Sequence, residues 1–172
     1  MIGLAVRYVV SAAAVFGATS VLFAQAPQPG SKSEAAFKQL SAVVGDWQGS
    51  QDGVPIAVKY TLTANGSALM EEDKPGKESA MITMYTVDGD RLIATHYCSV
   101  GNQPQMVSAA PDDFRKGVTF SVTRVTGMKS SDDWHNTGMT LTLDDKDHMT
   151  QRWTYLDKGK PGVNVFHYTR KK

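Results

Sequence analysis

The sequence predicts an all-β fold, an antiparallel up-and-down β-barrel of about ten strands behind one short N-terminal helix. Three observations carry that expectation. From Gly45 onward the apolar residues recur with a period of two, the repeat of a strand with one buried face. Ten short candidate strands follow one another with brief polar connections and no intervening helix. That many strands leave two unpaired edges, and closing the sheet on itself removes both.

The chain of 172 residues opens with a segment expected to lie outside the fold. Arg7 supplies a positive n-region, the run "YVVSAAAVFGATSVLF" an apolar h-region, and Ala24-Gln25-Ala26 a small-residue cleavage site. Residues 1–26 therefore read as a secretory signal peptide cut near 24–26, and the mature protein is expected in the periplasm or outside the cell. Residues 27–32, rich in Pro, Gly and Ser, read as a flexible leader, and 33–172 as one barrel domain. Arg7 is the only charged residue of the first 26, so its loss leaves 17 basic against 17 acidic side chains. A balanced charge gives no reason to expect nucleic acid or a membrane surface as partner of the mature form. Cys98 is the only cysteine, so stability has to come from the sheet and its core.

The helix is marked by Ser31 and Glu34 at capping-box spacing, by Phe37, Leu40 and Val44 on one face, and by Gly45 at its end. The strands are expected at 46–51, 56–63, 67–73, 80–87, 91–100, 105–110, 118–125, 138–143, 148–156 and 163–170. Asn65-Gly66 and Asp88-Gly89 can take the positive φ that tight two-residue turns require. Met139, Leu141 and Leu143 alternate with threonines, as do Val118, Phe120 and Val122 with Thr119, Ser121 and Thr123.

The run 40–53, "LSAVVGDWQGSQDG", resembles the opening of the calycin superfamily, in which a short helix leads into a Gly-x-Trp on the first strand. Gly45-Asp46-Trp47 is similar to the lipocalin motif. Gly45-x-Trp47-x-Gly49 is similar to the nitrobindin opening, with Gln51 in place of its third glycine. The run 81–106, with Asp88-Gly89, His96-Tyr97-Cys98 and Gly101-Asn102-Gln103-Pro104, resembles an uncharacterised bacterial family of lipocalin-like barrels. These resemblances imply the barrel. They also imply a basic residue over the indole of Trp47 at the closed end, for which Arg152 and Arg170 are the candidates.

The stretch 92–106, "LIATHYCSVGNQPQM", gathers an imidazole, a phenol and the only thiol before an amide-rich turn. On a strand, Leu92, Ala94, His96 and Cys98 share one face, and their small members suit a crowded interior. His96, Cys98, Asn102 and Gln103 are therefore expected as polar contacts to a ligand, with Met81, Met84 and Met106 as adaptable lining. The expected function is the binding of a small apolar or amphipathic molecule in the lumen, without catalysis.

Three alternatives remain at the level of sequence. Cys98 activated by His96 would make an enzyme, although no oxyanion hole or orienting group is marked. The nitrobindin resemblance implies haem, with His167 on the last strand as axial ligand. A filled barrel would be an interaction module with an outer apolar patch, Trp134 being a candidate. A metal site is not expected, because His135, His148 and His167 stand at no recognisable ligand spacing from His96 and Cys98. No phosphate-binding glycine motif is present, so no nucleotide cofactor is expected either.

Overall fold

Helix α1 (Lys32–Leu40) starts where Ser31 accepts a hydrogen bond from the Glu34 N–H at 3.2 Å, and it buries Ala36, Phe37 and Leu40. In this computed structural model, which describes residues 31–51, 53–77, 79–111 and 113–172, the helix passes into a 3-10 turn at Ser41–Val43. The expected signal peptide, and the leader up to Gly30, lie outside the described residues. The tighter three-residue period places Val43 above Leu40, so Val43 is buried and the expected Val44 is exposed.

Ten strands follow: β1 (Gly45–Gln51), β2 (Val54–Thr63), β3 (Ala68–Pro75), β4 (Met81–Asp88), β5 (Arg91–Tyr97), β6 (Gln103–Ala109), β7 (Val118–Thr126), β8 (His135–Leu143), β9 (His148–Asp157) and β10 (Lys160–Arg170). Each pairs antiparallel with its neighbours in sequence, and β10 returns to β1 to close the barrel. Two seams are short. β1 and β10 pair only from Trp47↔Arg170 to Gly49↔Tyr168, and β7 and β8 only from Val118↔Leu141 to Ser121↔Gly138.

Several boundaries differ from the expected ones for local reasons. β5 stops at Tyr97, three residues early, because the Cys98 N–H turns to Asn102 O and the Gly101 N–H to Cys98 O, which reverses the chain. β6 consequently starts at Gln103. β8 starts at His135, ahead of a bulge between Asn136 and Gly138 that breaks the period-two pattern. Asp88 pairs with Arg91, so the two turn residues are Gly89, with φ 60°, and Asp90. The β2–β3 connection is wider than expected, with Ala64, Asn65 and Gly66 all at positive φ and Ser67 closing onto Ala64 O.

The helix caps one end of the barrel, where the Ser33 hydroxyl donates to Gly89 O at 2.6 Å. Beneath it Trp47, Leu69, Leu92, Phe120, Leu141 and Met149 fill the interior. Trp47 donates its indole N–H to Val43 O at 2.7 Å, and the Arg170 guanidinium lies 4.2 Å from the ring centroid. The same guanidinium donates to Val44 O, Ala42 O and Lys146 O. Gly45 stands at φ 130°, and a Cβ there would meet Arg170 Nη1 at 3.1 Å, so glycine suits both its backbone and its neighbour. Arg152, the other candidate, lies on the exposed outer face of β9 and takes no part.

A lysine at 170 has no planar fork with which to serve three carbonyls and a ring at once. Arg170→Lys is expected to lower the unfolding free energy by about 1–2 kcal/mol in urea denaturation. An unchanged midpoint would remove Arg170 as the closing element.

Candidate functional site

The interior opposite the helix is hollow. A cavity of about 510 Å³ opens at this end, within the ordinary range for small-molecule sites. Alternation along each strand decides what faces it. β3 contributes Glu71, Asp73 and Pro75, and β4 contributes Met81. His96 at the end of β5 is followed by Cys98, Ser99 and Val100 from the turn. β9 and β10 supply Trp153, Asn164 and Phe166, and next to them β1 and β2 add Gln51 and the apolar Val54 and Ile56. Trp134 and Asn136 stand at the mouth.

The floor is a buried polar network centred on Glu71. Its Oε2 accepts from the Tyr60 hydroxyl at 2.9 Å and the Tyr85 hydroxyl at 2.6 Å, and the Gln151 amide donates to both carboxyl oxygens at 3.1 Å. Gln151 also donates to the Tyr60 oxygen at 2.7 Å, and its own Oε1 accepts the Trp153 indole N–H at 2.9 Å. These donors come from β2, β4 and β9, so one carboxyl ties three other strands to β3. Burial pushes the Glu71 pKa above the ordinary carboxylate value, against the lowering by Tyr85, Gln151 and Tyr60. The same burial, reinforced by the nearby Glu71 charge, raises Tyr60 and Tyr85 well above the usual phenol range, so both remain donors.

His96 sits directly opposite Thr83 across the β4–β5 ladder, with Nδ1 at 2.9 Å from the Thr83 hydroxyl. Its ring packs on Trp153 with centroids 4.9 Å apart. Burial drives its pKa down to about 4, so the imidazole is neutral at physiological pH. Cys98 lies nearer the mouth, and burial pushes its thiol up, the reverse of what an activated nucleophile needs. The hydrogen-bond partner of His96 is Thr83 rather than Cys98.

The other expected residues are distributed differently. Met81, His96 and Cys98 line the cavity. Asn102 is buried behind the turn, donating to Trp134 O at 2.6 Å, and so braces the mouth from outside the lumen. Gln103 donates to Gly101 O and accepts from the Thr126 hydroxyl, which fastens the turn to β7. Both lie past the chain reversal at Cys98, and that reversal takes them off the cavity wall. Met84 is one residue out of phase with Thr83 and Tyr85 and faces outward beside Met70. Met106 is fully buried in the filled half, away from the cavity. His167 is exposed on the outer face of β10, with its ring nitrogen 3.1 Å from the Thr150 hydroxyl. A haem held in the lumen lies beyond its reach. Among the described residues, no cluster of three or more His, Cys, Asp or Glu is placed to hold a metal ion.

Glu71, Gln151 and Trp153 were not among the residues expected in the site. The signal for them was present: Leu69, Glu71 and Asp73 alternate, so an inward Leu69 carries two carboxyls inward with it. Trp134, the candidate for an outer apolar patch, stacks on Tyr155 with centroids 5.3 Å apart. Tyr155 in turn lies flat over Gly162, where a Cβ would come within 2.2 Å of the ring.

No family model matches the chain, and no curated protein matches it. Among solved structures, the chain is similar to a protein of unknown function of the DUF3598 family from Nostoc punctiforme, at 15% identity and a TM-score of 0.43. The match covers 77% of this chain and 49% of that one, so this chain spans about half that protein's length.

Two outcomes follow from the geometry. His96 has a depressed folded-state pKa, so its contribution is complete above about pH 6.5 and is lost as pH falls through about 4. Between those limits, urea unfolding of the native protein should lose up to about 3 kcal/mol more than that of His96→Gln. Parallel pH profiles would show that the imidazole is not buried in its neutral form. Gly162→Ala should cost about 1–3 kcal/mol and alter the near-ultraviolet dichroism of the Trp134–Tyr155 stack; an unchanged spectrum would contradict the packing of Tyr155 on Gly162.

Proposed function

We propose that this protein is an exported, calycin-like barrel that binds a small apolar or amphipathic molecule in its lumen without transforming it. The observation that carries the reading is the cavity of about 510 Å³ at the end opposite the helix, with apolar and aromatic walls and a few buried polar groups at its floor. That composition orients a ligand. A raised thiol at Cys98 and an imidazole engaged with Thr83 argue for binding over nucleophilic chemistry. Calycin kinship is supported by the helix leading into Gly45-x-Trp47 and by the arginine over that indole. Export, to the periplasm or beyond, is supported by the signal-peptide pattern of residues 1–26.

The test is a titration with prodan, a neutral probe whose emission shifts to the blue in apolar surroundings. Saturable binding at one site is expected. Asn164→Trp, which fills the cavity from β10, should weaken it by about tenfold or more. Met84→Ser, on the outer face, should leave it unchanged. Binding that ignores the Asn164→Trp plug, or the lack of any saturable signal, would overturn the lumenal reading.

A further inference from the structure

The bulge between Asn136 and Gly138 decides which way Asn136 points. Gly138 pairs with Thr154, so an unbroken ladder would set Asn136 opposite Leu156, in the outward phase of β9. The bulge sets it opposite Tyr155 instead, in phase with Trp153 and Gln151, and Asn136 lines the cavity. It is 5% exposed, yet its carboxamide makes no hydrogen bond among the described residues. Its amide atoms are not sealed off as Asn102 Oδ1 is, so they open onto the lumen. On the other side of β9, opposite Trp153, Asn164 brings a second cavity-lining carboxamide with no hydrogen bond among the described residues.

The two amides flank Trp153, whose indole N–H is already given to Gln151 and whose ring packs on His96. With Nδ1 of His96 at the Thr83 hydroxyl, Nε2 is a third neutral partner, donor or acceptor according to tautomer. The charged groups of the lining are engaged. Both oxygens of Glu71 are served by Tyr60, Tyr85 and Gln151, and Asp73 has an interaction of its own. Among the described residues no lysine or arginine lines the cavity. A charged head of either sign would leave water with no free countercharge to meet it. A head with donors and an acceptor answers the buried amides, which are costly without partners.

Resting on the lumenal-binding reading above, we infer that the ligand class is an uncharged amphiphile whose head both donates and accepts hydrogen bonds, as a carboxamide does. The head accepts from Asn136 Nδ2 and donates to Asn136 Oδ1. Asn164 and His96 Nε2 serve its further polar atoms, and its apolar body lies along Val54, Ile56 and Phe166.

The experiment is displacement of prodan at pH 7 by octanamide, methyl octanoate, octanoate and octylamine, each below its self-association concentration. The four share a chain. The amide head donates and accepts, the ester only accepts, and the other two are charged. Octanamide should compete about tenfold or more tightly than octanoate or octylamine, and at least as tightly as the more apolar ester. Asn136→Leu, nearly isosteric and free of any lost internal hydrogen bond, should lower the amide-to-ester ratio of affinities about tenfold. Asn164→Leu, at a half-buried position, should lower it as well and carries the test where Asn136→Leu does not fold. Octanoate or octylamine binding as tightly as the amide overturns the inference, as does a ratio that survives these substitutions. Prodan that binds saturably but yields to none of the four overturns it too and leaves the lumenal reading standing. If prodan shows no saturable binding, the lumenal reading falls and this inference with it.

Discussion

The buried carboxyl of Glu71 is the constraint around which this barrel is organised. A carboxyl withdrawn from water is costly unless donors surround it, and here they arrive from Tyr60, Tyr85 and Gln151 on three different strands. The hydrogen bonds run one way: tyrosines and amide all donate to it. Gln151 then passes its remaining capacity to Trp153, whose ring holds His96, whose nitrogen pairs with Thr83. Register, side-chain rotamers and tautomer are thereby linked through one group. The layer it forms also divides the interior: the side toward α1 is filled with Trp47, Leu69, Phe120 and Met149, and the side away from it is hollow.

Most of the architecture was legible in the sequence because it depends on local physics. Alternation of apolar and polar residues placed all ten strands, and the Ser31 cap placed the helix. Most of the departures share one kind of cause, a change of phase. The turn at Cys98 moved Asn102 and Gln103 off the wall, the 3-10 turn exchanged Val43 for Val44, and the bulge before Gly138 concealed the start of β8. Met84 has the chemistry of a lining residue but the opposite phase, and Thr83 and Tyr85 occupy the inward positions beside it. The site was less legible than the fold because its centre is contributed by strands far apart in sequence. Nothing within "SALMEEDK" indicates that a glutamine eighty residues later will meet Glu71.

His96 and Cys98 are held in their uncharged forms by the same desolvation. Their contribution to the lumen is shape and hydrogen bonding. The carboxyls of the lining come instead from Glu71 and Asp73 on β3, beside Val54 and Ile56 of the neighbouring β2. Such a division between a polar floor and an apolar flank suits recognition of molecules that are themselves divided.

The short seams have a mechanical consequence. A closed girdle of ladder hydrogen bonds resists dilation, because widening it means breaking bonds. Here β1 and β10 are laced at three positions near the closed end, and β7 and β8 are laced only between Val118 and Ser121. Above those points, among the described residues, no ladder hydrogen bond crosses either seam, whereas Arg170 and Trp47 clamp the base. The mouth is thus laced by fewer ladder bonds than the base, and the end that holds the fold is the one at which Arg170 clamps Trp47.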